Sequence, residues 1–427
     1  MKRLIVGMGK SGQAVAKRLD LEGMAYDVYD DRLDLDAIRQ ALGHVRFGAI
    51  PAAEDIVPEA YGEVVVSPGI SIKHPVLARF TAARAAVIGE LEFAFRRCKG
   101  SVVAVTGSNG KSTTVTMIDH ILSRCGFTSR LCGNIGMPFT ECVDDAEDAI
   151  YVLEVSSFQM EHIQTFCPQV GVLLNIAPDH IDRHGSFEAY RAAKLKLFMN
   201  QQNDHWAIYP AKFPVEPPGN GHRIEVPGPK AHWQGDTLHL GGRFRLDRSA
   251  LPLLGAHNRE NTTFACLAVH YFGLTGDQVE NALRDFKGLP HRLEVIGEWE
   301  GRTWINDSKA TNVHATQAAI AAMEKDYVLI LGGCGKGERF NGLQFGDHPP
   351  RAVVAYGETA DLICEDLPQV HPIKVPKFQD ACLKAHALAG PGTVVLLAPA
   401  CASFDQFQSF THRGDVFRDV FRQGVAS

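Results

Sequence analysis

The stretch AVTGSNGKSTTVTMIDHIL, residues 104–122, decides the fold of the middle of this 427-residue chain. An apolar strand runs into the glycine loop of residues 107–113, and a helix follows this loop. Such a loop points backbone N–H groups at phosphates, while the lysine and the hydroxyls after it supply charge and a Mg²⁺ ligand. Val105 replaces the first glycine of the commonest form of the motif. A plain turn has no use for Gly-Lys-Ser-Thr, so we predict an ATP site made of Gly107, Ser108, Asn109, Gly110, Lys111, Ser112 and Thr113.

Two segments beyond this loop offer metal ligands. Glu154 lies in the apolar strand YVLEVSS, where burial of a carboxylate costs several kcal/mol unless it is paired or binds a metal. His180 follows the strand of VGVLLNIAP, at the end where open α/β sheets hold their ligands. A structural ion pair at Glu154 and a solvated loop at His180 are the alternatives.

A lysine lies on the apolar face of the next predicted helix, SFEAYRAAKLKLF. The helical period places Lys194 on one line with Tyr190, whereas Lys196 faces outward. An inward lysine can extend its ammonium to water. A desolvated lysine has instead a depressed pKa and can react with CO₂ to form a carbamate. The pattern does not choose between these two interpretations.

The N-terminal stretch LIVGMGKSGQAVAKRL contains G-x-G-x-x-G after a strand, and Asp30 and Asp31 follow at the distance of a ribose-binding acid. Taken alone, this motif indicates an NAD-dependent dehydrogenase. Hydride transfer does not need an ATP loop, however, so the oxidoreductase is the weaker alternative. A nucleotide-binding regulator without catalysis is a third hypothesis, but it would not need the candidate metal ligands.

Composition and pattern define the organisation of the chain. The net charge is −6 and basic residues do not cluster, which argues against a nucleic-acid partner. Ten cysteines without a C-x-x-C pair, and the lack of a signal-like or bilayer-length apolar segment, lead us to expect a cytoplasmic protein. Strands and helices alternate in three α/β units with boundaries near residues 90 and 288, and a Pro- and Gly-rich β insertion occupies about 210–255.

Several motifs together resemble the Mur ligases, the ATP-dependent amide ligases that build the peptidoglycan stem peptide. They are TGSNGKST, EVSSFQME, NIAPDHIDRHGSFEAYRAAK, LPHRLE, NDSKATNVHAT, LILGGCGKG and APACASFDQFQSFTHRGDVF. The resemblance covers nearly the whole chain, and its C-terminal run favours the D-glutamate-adding member. A sibling ligase that adds alanine, a diamino acid or a dipeptide is the alternative within the family. It implies a Rossmann-like UDP-sugar-binding domain at 1–90, a central P-loop ATPase-like domain with a parallel sheet and a small β insertion at 91–288, and a Rossmann-like amino-acid-binding domain at 289–427.

The resemblance also implies a reaction and its participants. ATP would phosphorylate UDP-N-acetylmuramoyl-L-alanine (UDP-MurNAc-L-Ala), and D-glutamate would attack the acyl phosphate, with two Mg²⁺ ions and a carbamylated Lys194. We further expect a monomer. Cys334 and His314 depart from the usual family residues beside the acceptor, which makes the shape of the amino-acid pocket less predictable than the ATP site.

The resemblance assigns roles to individual residues. The catalytic set is Lys111, Glu154, His180 and Lys194, and the metal ligands are Ser112, Glu154, His180 and Lys194. Further ATP contacts are Asn258, Asn261, Arg292 and Asp307. The UDP-sugar would lie against Gly9, Lys10, Ser11, Asp30, Asp31, Ser67 and Asn134. The amino acid would meet His180, Lys309, Thr311, Lys336, Ser403 and Phe410.

Overall fold

The computed structural model describes residues 2–32, 35–42, 48–49, 52–83, 85–241, 244–247, 255–335, 337 and 339–426. The chain forms two compact units. The first is Met1–Leu251 with Asn261–Arg284, and the second is Pro252–Glu260 with Asp285–Ser427. Within the described ranges, no helix is both long and apolar enough to cross a bilayer. All ten cysteines are free thiols.

The first unit begins with a five-stranded parallel sheet in the order β3-β2-β1-β4-β5. Its strands are β1 Lys2–Val6, β2 Tyr26–Tyr29, β3 Gly48–Ala49, β4 Tyr61–Val66 and β5 Ala86–Gly89. The helices that accompany them are α1 Lys10–Leu21, α2 Leu35–Leu42, α3 Pro75–Ala82 and α4 Glu90–Phe95. Apolar residues on both faces of β1 and β4 are buried, as expected for a sheet covered on two sides.

A second parallel sheet, of six strands, carries the predicted phosphate loop. Its order is β11-β10-β9-β6-β8-β7. The strands are β6 Ser101–Thr106, β7 Ser129–Gly133, β8 Ile150–Glu154, β9 Val170–Leu173, β10 Trp206–Pro210 and β11 His222–Val226. The helices in this part of the chain are α5 Lys111–Arg124, α6 Phe139–Cys142, α7 Ile181–His184, α8 Phe187–Leu195, α9 Ala256–His270 and α10 Gly276–Leu283. Because β6, β8 and β9 are adjacent and parallel, the segments that follow them meet at one edge.

The predicted β insertion is a three-stranded antiparallel sheet. It consists of β12 Ala231–Gln234, β13 Thr237–Leu240 and β14 Phe244–Asp247. The indole N–H of Trp233 donates to the hydroxyl of Thr263 in α9 at 2.9 Å. The expectation of a small β element here is confirmed.

The second unit has a six-stranded sheet in the order β15-β16-β20-β17-β18-β19, in which only the β15–β16 pair is antiparallel. Its strands are β15 Glu294–Trp299, β16 Arg302–Asn306, β17 Tyr327–Gly332, β18 Ala352–Tyr356, β19 Ile373–Val375 and β20 Val394–Leu397. Its later helices are α11 Val313–Ala321, α12 Ala360–Asp366, α13 Phe378–Leu388 and α14 Phe410–Ala426. All six residues of β17 are buried, which places this strand in the middle of the core.

The predicted α/β class, with largely parallel sheets and an inserted β element, is therefore confirmed. The boundaries at 90 and 288 stay a prediction.

Candidate functional site

The phosphate loop joins β6 to α5 in a conformation that depends on glycine. Gly110 has φ +87° and precedes the first residue of α5, and the backbone N–H of Thr114 donates to its carbonyl at 3.0 Å. A Cβ at Gly110 would also collide with Oδ1 of Asn261, which therefore lies against the loop. The first N–H groups of a helix have no partner within the helix, which gives this end of α5 its positive character.

Asn175, which was not predicted as a site residue, binds the phosphate loop through two hydrogen bonds. Its carbonyl accepts from the N–H of Ser108 at 3.0 Å, and its Oδ1 accepts from the N–H of Asn109 at 2.9 Å. The Ser108 hydroxyl in turn lies 3.0 Å from the hydroxyl of Tyr190 and donates to the Ala177 carbonyl at 3.0 Å. Asn175 could have been predicted as a site residue from its position directly after an apolar strand. The segment after β9 thus sets the loop's shape before any ligand binds.

Two lysines share one carbonyl oxygen of this loop. Nζ of Lys111 donates to the Gly107 carbonyl at 2.8 Å and to that of Ser108 at 2.9 Å. Nζ of Lys194 donates to the same Gly107 oxygen at 2.9 Å and lies 3.3 Å from the Thr106 hydroxyl. The two amines are therefore held side by side at the start of the loop.

Lys194 is buried, with a relative exposure of 2%. Burial lowers its pKa to about 7, and the positive charge of Lys111 acts in the same direction, while the carboxylates of Asp179 and Glu154 oppose the shift. A large share of this amine is therefore neutral near pH 7, which is the form that attacks CO₂. The prediction that Lys194 lies on the buried face of α8 is confirmed, and Lys196 is only half-buried.

Glu154 connects the phosphate loop to a second part of the site. It ends β8 and is buried, and its Oε2 accepts from the Ser112 hydroxyl at 2.7 Å. Its Oε1 accepts from Nδ2 of Asn134 at 2.7 Å. The Thr113 hydroxyl is buried without a hydrogen-bond partner in the described part of the chain. One carboxylate thus lies between a P-loop hydroxyl and an amide of the neighbouring segment.

His180 lies at the start of α7 with φ +51°, and about half of its side chain is exposed. Its ring packs 4.8 Å from that of Phe158 and 6.4 Å from that of Tyr190, between centroids. Within the described ranges, no three His, Cys, Asp or Glu side chains come together as a complete metal site. Of the four predicted ligands, Ser112 and Glu154 are hydrogen-bonded to each other, whereas His180 is half-exposed and packs against Phe158 and Tyr190.

A cavity of about 760 Å³ opens beside Glu154, between the first sheet and the β7–α6 segment. Its lining contains all seven residues predicted to hold the UDP-sugar, namely Gly9, Lys10, Ser11, Asp30, Asp31, Ser67 and Asn134. It also contains Arg32, His74 and Gln159, which were not predicted from the sequence. Asn134 belongs to this lining and binds Glu154, so the cavity and the phosphate loop meet at this contact.

The glycine turn after β1 is fixed by groups of the cavity wall. The Asp30 carboxylate accepts from the N–H of Met8 at 2.6 Å, and the Ser67 hydroxyl donates to the Gly7 carbonyl at 2.7 Å. Asp31 accepts from the Tyr29 hydroxyl at 2.6 Å and pairs with His74, and these two contacts hold its pKa below the usual value. The turn leads into α1, whose N-terminus opens on the cavity.

The second unit contains the other predicted ATP contacts. Asn258 and Asp307 are buried, and Nε of Arg292 has no hydrogen-bond partner in the described part of the chain. Burial raises the pKa of Asp307 to about 6, against the opposing charge of Arg292. Its Oδ1 accepts from the N–H of Leu293 at 3.3 Å, so this carboxyl group is fixed at the end of β16.

The predicted acceptor residues of this unit lie after β16 and β20. Nζ of Lys309 is 5.7 Å from the centre of the Phe410 ring, and the N–H of Thr311 donates to the Lys309 carbonyl at 2.8 Å. The Ser403 hydroxyl is buried and has no partner within the described ranges. Lys336 lies outside the described residues.

The strand, phosphate loop and helix of the first unit have the architecture of P-loop nucleotide-binding proteins. Residues 1–89 match the family description "Mur ligase MurD-like, N-terminal domain", residues 105–269 "Mur ligase middle domain" and residues 291–401 "Mur ligase, glutamate ligase domain". The chain belongs to the Mur ligase family.

Relatives match along nearly the full length. A protein of Desulfitobacterium hafniense named UDP-N-acetylmuramoylalanine–D-glutamate ligase is 36% identical over 99% of this chain and 97% of its own length. One of Acidobacterium capsulatum with the same name is 38% identical over 98% and 95%.

Solved Mur ligases share the fold. UDP-N-acetylmuramate-alanine ligase MurC of Thermotoga maritima matches with a TM-score of 0.61 and 19% identity, covering 99% of each chain. MurF ligase of Thermotoga maritima, solved in complex with ADP, has a TM-score of 0.58 and 16% identity, covering 88% of this chain and 97% of its own.

Proposed function

We propose that this chain is an ATP-dependent amide ligase that adds D-glutamate to UDP-MurNAc-L-Ala in peptidoglycan precursor synthesis. The observation that carries the proposal is the double contact of Glu154, with Ser112 on the phosphate loop and Asn134 in the cavity lining. A γ-phosphate on the loop and a carboxylate at the end of a cavity-bound ligand would meet there. The names of the relatives, and ADP in the MurF structure, support the choice of substrates.

The first chemical step forms an acyl phosphate. A carboxylate oxygen of the nucleotide-sugar substrate attacks the γ-phosphorus of ATP, the bond to the β–γ bridging oxygen breaks, and ADP leaves. Such transfers depend on positioning and on neutralising the charge of the phosphoryl group. Lys111, which the loop carbonyls hold at the start of α5, supplies positive charge, and the N–H groups of the loop orient the phosphates.

In the second step the amine of D-glutamate attacks the acyl carbon, and inorganic phosphate leaves from the tetrahedral intermediate. The attacking nitrogen loses one proton to water as the amide forms. We propose that Lys309, Thr311, Lys336, Ser403 and Phe410 hold this amino acid. Asn258, Asn261, Arg292 and Asp307 would contact ATP.

The residues around Glu154 fit Mg²⁺. This ion prefers one or two carboxylates completed by water and phosphate oxygens, and the site offers the Glu154 carboxylate next to the hydroxyl of Ser112. A protonated lysine cannot be a ligand, but the half-neutral amine of Lys194 can become an anionic carbamate. We therefore propose that Ser112, Glu154, His180 and carbamylated Lys194 hold Mg²⁺, which would neutralise phosphate charge.

The reaction is tested by incubating the protein with ATP, UDP-MurNAc-L-Ala and a panel of amino acids, with phosphate release and product mass as readouts. We expect turnover with D-glutamate, and a loss of at least about a hundredfold in kcat for Glu154→Gln. Glu59→Gln is the matched control, because Glu59 is exposed and lies outside the cavity lining. Turnover with another acceptor and none with D-glutamate would falsify the proposal.

The setting of the reaction follows from the same inference. Ten free thiols suit a reducing compartment, so we propose that the enzyme works in the cytoplasm. We also propose that it acts as a monomer.

A further inference from the structure

Arg183, on the short helix α7, binds a loop of the first sheet that lines the cavity. Its guanidinium donates to three consecutive carbonyls: Pro68 at 3.3 Å, Gly69 at 3.2 Å and Ile70 at 2.6 Å. All three of these residues belong to the cavity lining. A side chain more than a hundred positions away in the sequence thus supplies donors to three acceptors of a single turn.

A carboxylate and an aromatic ring hold the guanidinium in place. Nη2 of Arg183 pairs with Oε2 of Glu161 at 2.7 Å, and Nε lies 3.4 Å from Oε1. Its carbon Cζ lies 4.9 Å from the centre of the Phe158 ring. The side chains of Arg183 and Glu161 are only 15% and 7% exposed, so little water competes for these bonds.

The carbonyl-bearing loop is fixed at its other end by the glycine turn of the cavity. The Ser67 hydroxyl donates to the Gly7 carbonyl, and a Cβ on Gly7 would press on Ser67 and Ile70. The Ile70 N–H donates to the Ser67 carbonyl at 3.0 Å, which closes the turn. Arg183 is therefore the group that holds the outer side of this turn against the cavity.

We propose that Arg183 is a positioning residue for the nucleotide-sugar, acting through the 68–70 turn. If Arg183 served only in an ion pair, Glu161 would be its only partner. Three of its five hydrogen bonds, however, go to the carbonyls of residues 68–70 in the cavity wall. The inference rests on the proposed function for the identity of the ligand. It assigns to the segment after β9 a contact with the cavity in addition to its contact with the phosphate loop.

The test measures binding and kinetics separately in full-length protein. For Arg183→Gln we expect about a tenfold increase in the Kd of UDP-MurNAc-L-Ala by calorimetry, and a similar increase in its KM, with the KM of ATP within twofold of the original. Arg183→Lys keeps the positive charge but loses the forked guanidinium, so its Kd for UDP-MurNAc-L-Ala should lie between those of the original protein and Arg183→Gln. Arg191→Gln is the matched control, because Arg191 lies on α8 and contacts the Phe187 ring.

Hydrogen exchange gives a readout that does not depend on activity. The Ile70 amide should exchange faster in Arg183→Gln than in the original protein, and the amide of Thr114 on α5 should not. An unchanged Kd for the nucleotide-sugar would overturn the inference. Equal losses of affinity for ATP and for the nucleotide-sugar, together with a lower Tm, would also overturn it, since they indicate a general loss of structure. If Arg183→Gln does not fold, the same measurements are made on Arg183→Lys. If the original protein does not bind UDP-MurNAc-L-Ala at all, the proposed function fails instead.

Discussion

At the scale of single residues, the lowered pKa of Lys194 should make the free energy of unfolding depend on pH. Its folded pKa is about 7, against 10.5 for a free lysine, so between these values the unfolded chain binds more protons than the native one. The contribution of this group to the free energy of unfolding therefore rises as pH increases from about 7 towards 10.5. Below pH 7 both states are protonated and the contribution no longer changes.

Lys194→Met removes the titrating amine at nearly constant volume, and this pH-dependent rise should disappear with it. Denaturant unfolding at pH 7 and pH 9 in carbonate-free buffer measures the difference. Lys196→Met, two positions along and half-buried, should keep the rise. An identical pH slope in the original protein and in Lys194→Met would contradict the assigned pKa.

At the scale of elements, the phosphate loop depends on the positive φ of Gly110. Gly110→Ala combines the cost of a positive φ, about 1–2 kcal/mol, with the collision against Asn261. We expect at least a tenfold weaker affinity for ATP. Gly23→Ala separates the two effects, because Gly23 also has a positive φ but has open space around it. That variant should lose stability and keep ATP affinity, as calorimetry with ATP would reveal; equal ATP affinities in the two variants would refute the argument.

The sequence predicts such elements well because their signals are local. Glycine spacing and apolar runs predicted both glycine turns and the helices after them, whereas the seven cavity residues were implied by the family resemblance. Asn175 and Arg183 were missed, because their importance lies in contacts with chain segments that no local period identifies. Both acidic residues of the cavity lining, Asp30 and Asp31, were predicted, whereas His74, which pairs with Asp31, belongs to no motif and was missed.

At the scale of the whole molecule, Glu92 joins α4, which follows the last strand of the first sheet, to residues 164–166, which precede β9 of the second sheet. This fully buried carboxylate in α4 accepts from the N–H groups of Gln164, Thr165 and Phe166, from the Thr165 hydroxyl, and from Arg96. Burial raises its pKa, but the hydrogen bonds outweigh burial and the pKa lies below the usual 4.5. Its stabilisation is therefore present above pH 4.5 and is lost as pH falls through the lower, folded value.

Glu92→Gln should destabilise the protein by about 2–5 kcal/mol, since an amide turns two donor hydrogens towards groups that donate. Thermal and denaturant unfolding at pH 7 measure the loss. Glu59→Gln, at an exposed position, should leave Tm nearly unchanged. A decrease of less than about 0.5 kcal/mol in the free energy of unfolding would mean that the network does not hold α4 and residues 164–166 together. Residues 92 and 165 are far apart in the sequence, and for this reason no sequence pattern predicted the contact.

Lys111 and Lys194 both donate to the carbonyl oxygen of Gly107, so the charge of each side chain affects the other. A carbamate on Lys194 would place negative charge beside the Lys111 ammonium, and phosphates bound by Lys111 would change the charge that Lys194 experiences. Two ligands that alter each other's surroundings must alter each other's affinity by the same factor. Dissolved carbon dioxide should therefore act as an effector of nucleotide binding, and the ATP affinity of one and the same preparation should change with the bicarbonate content of its buffer.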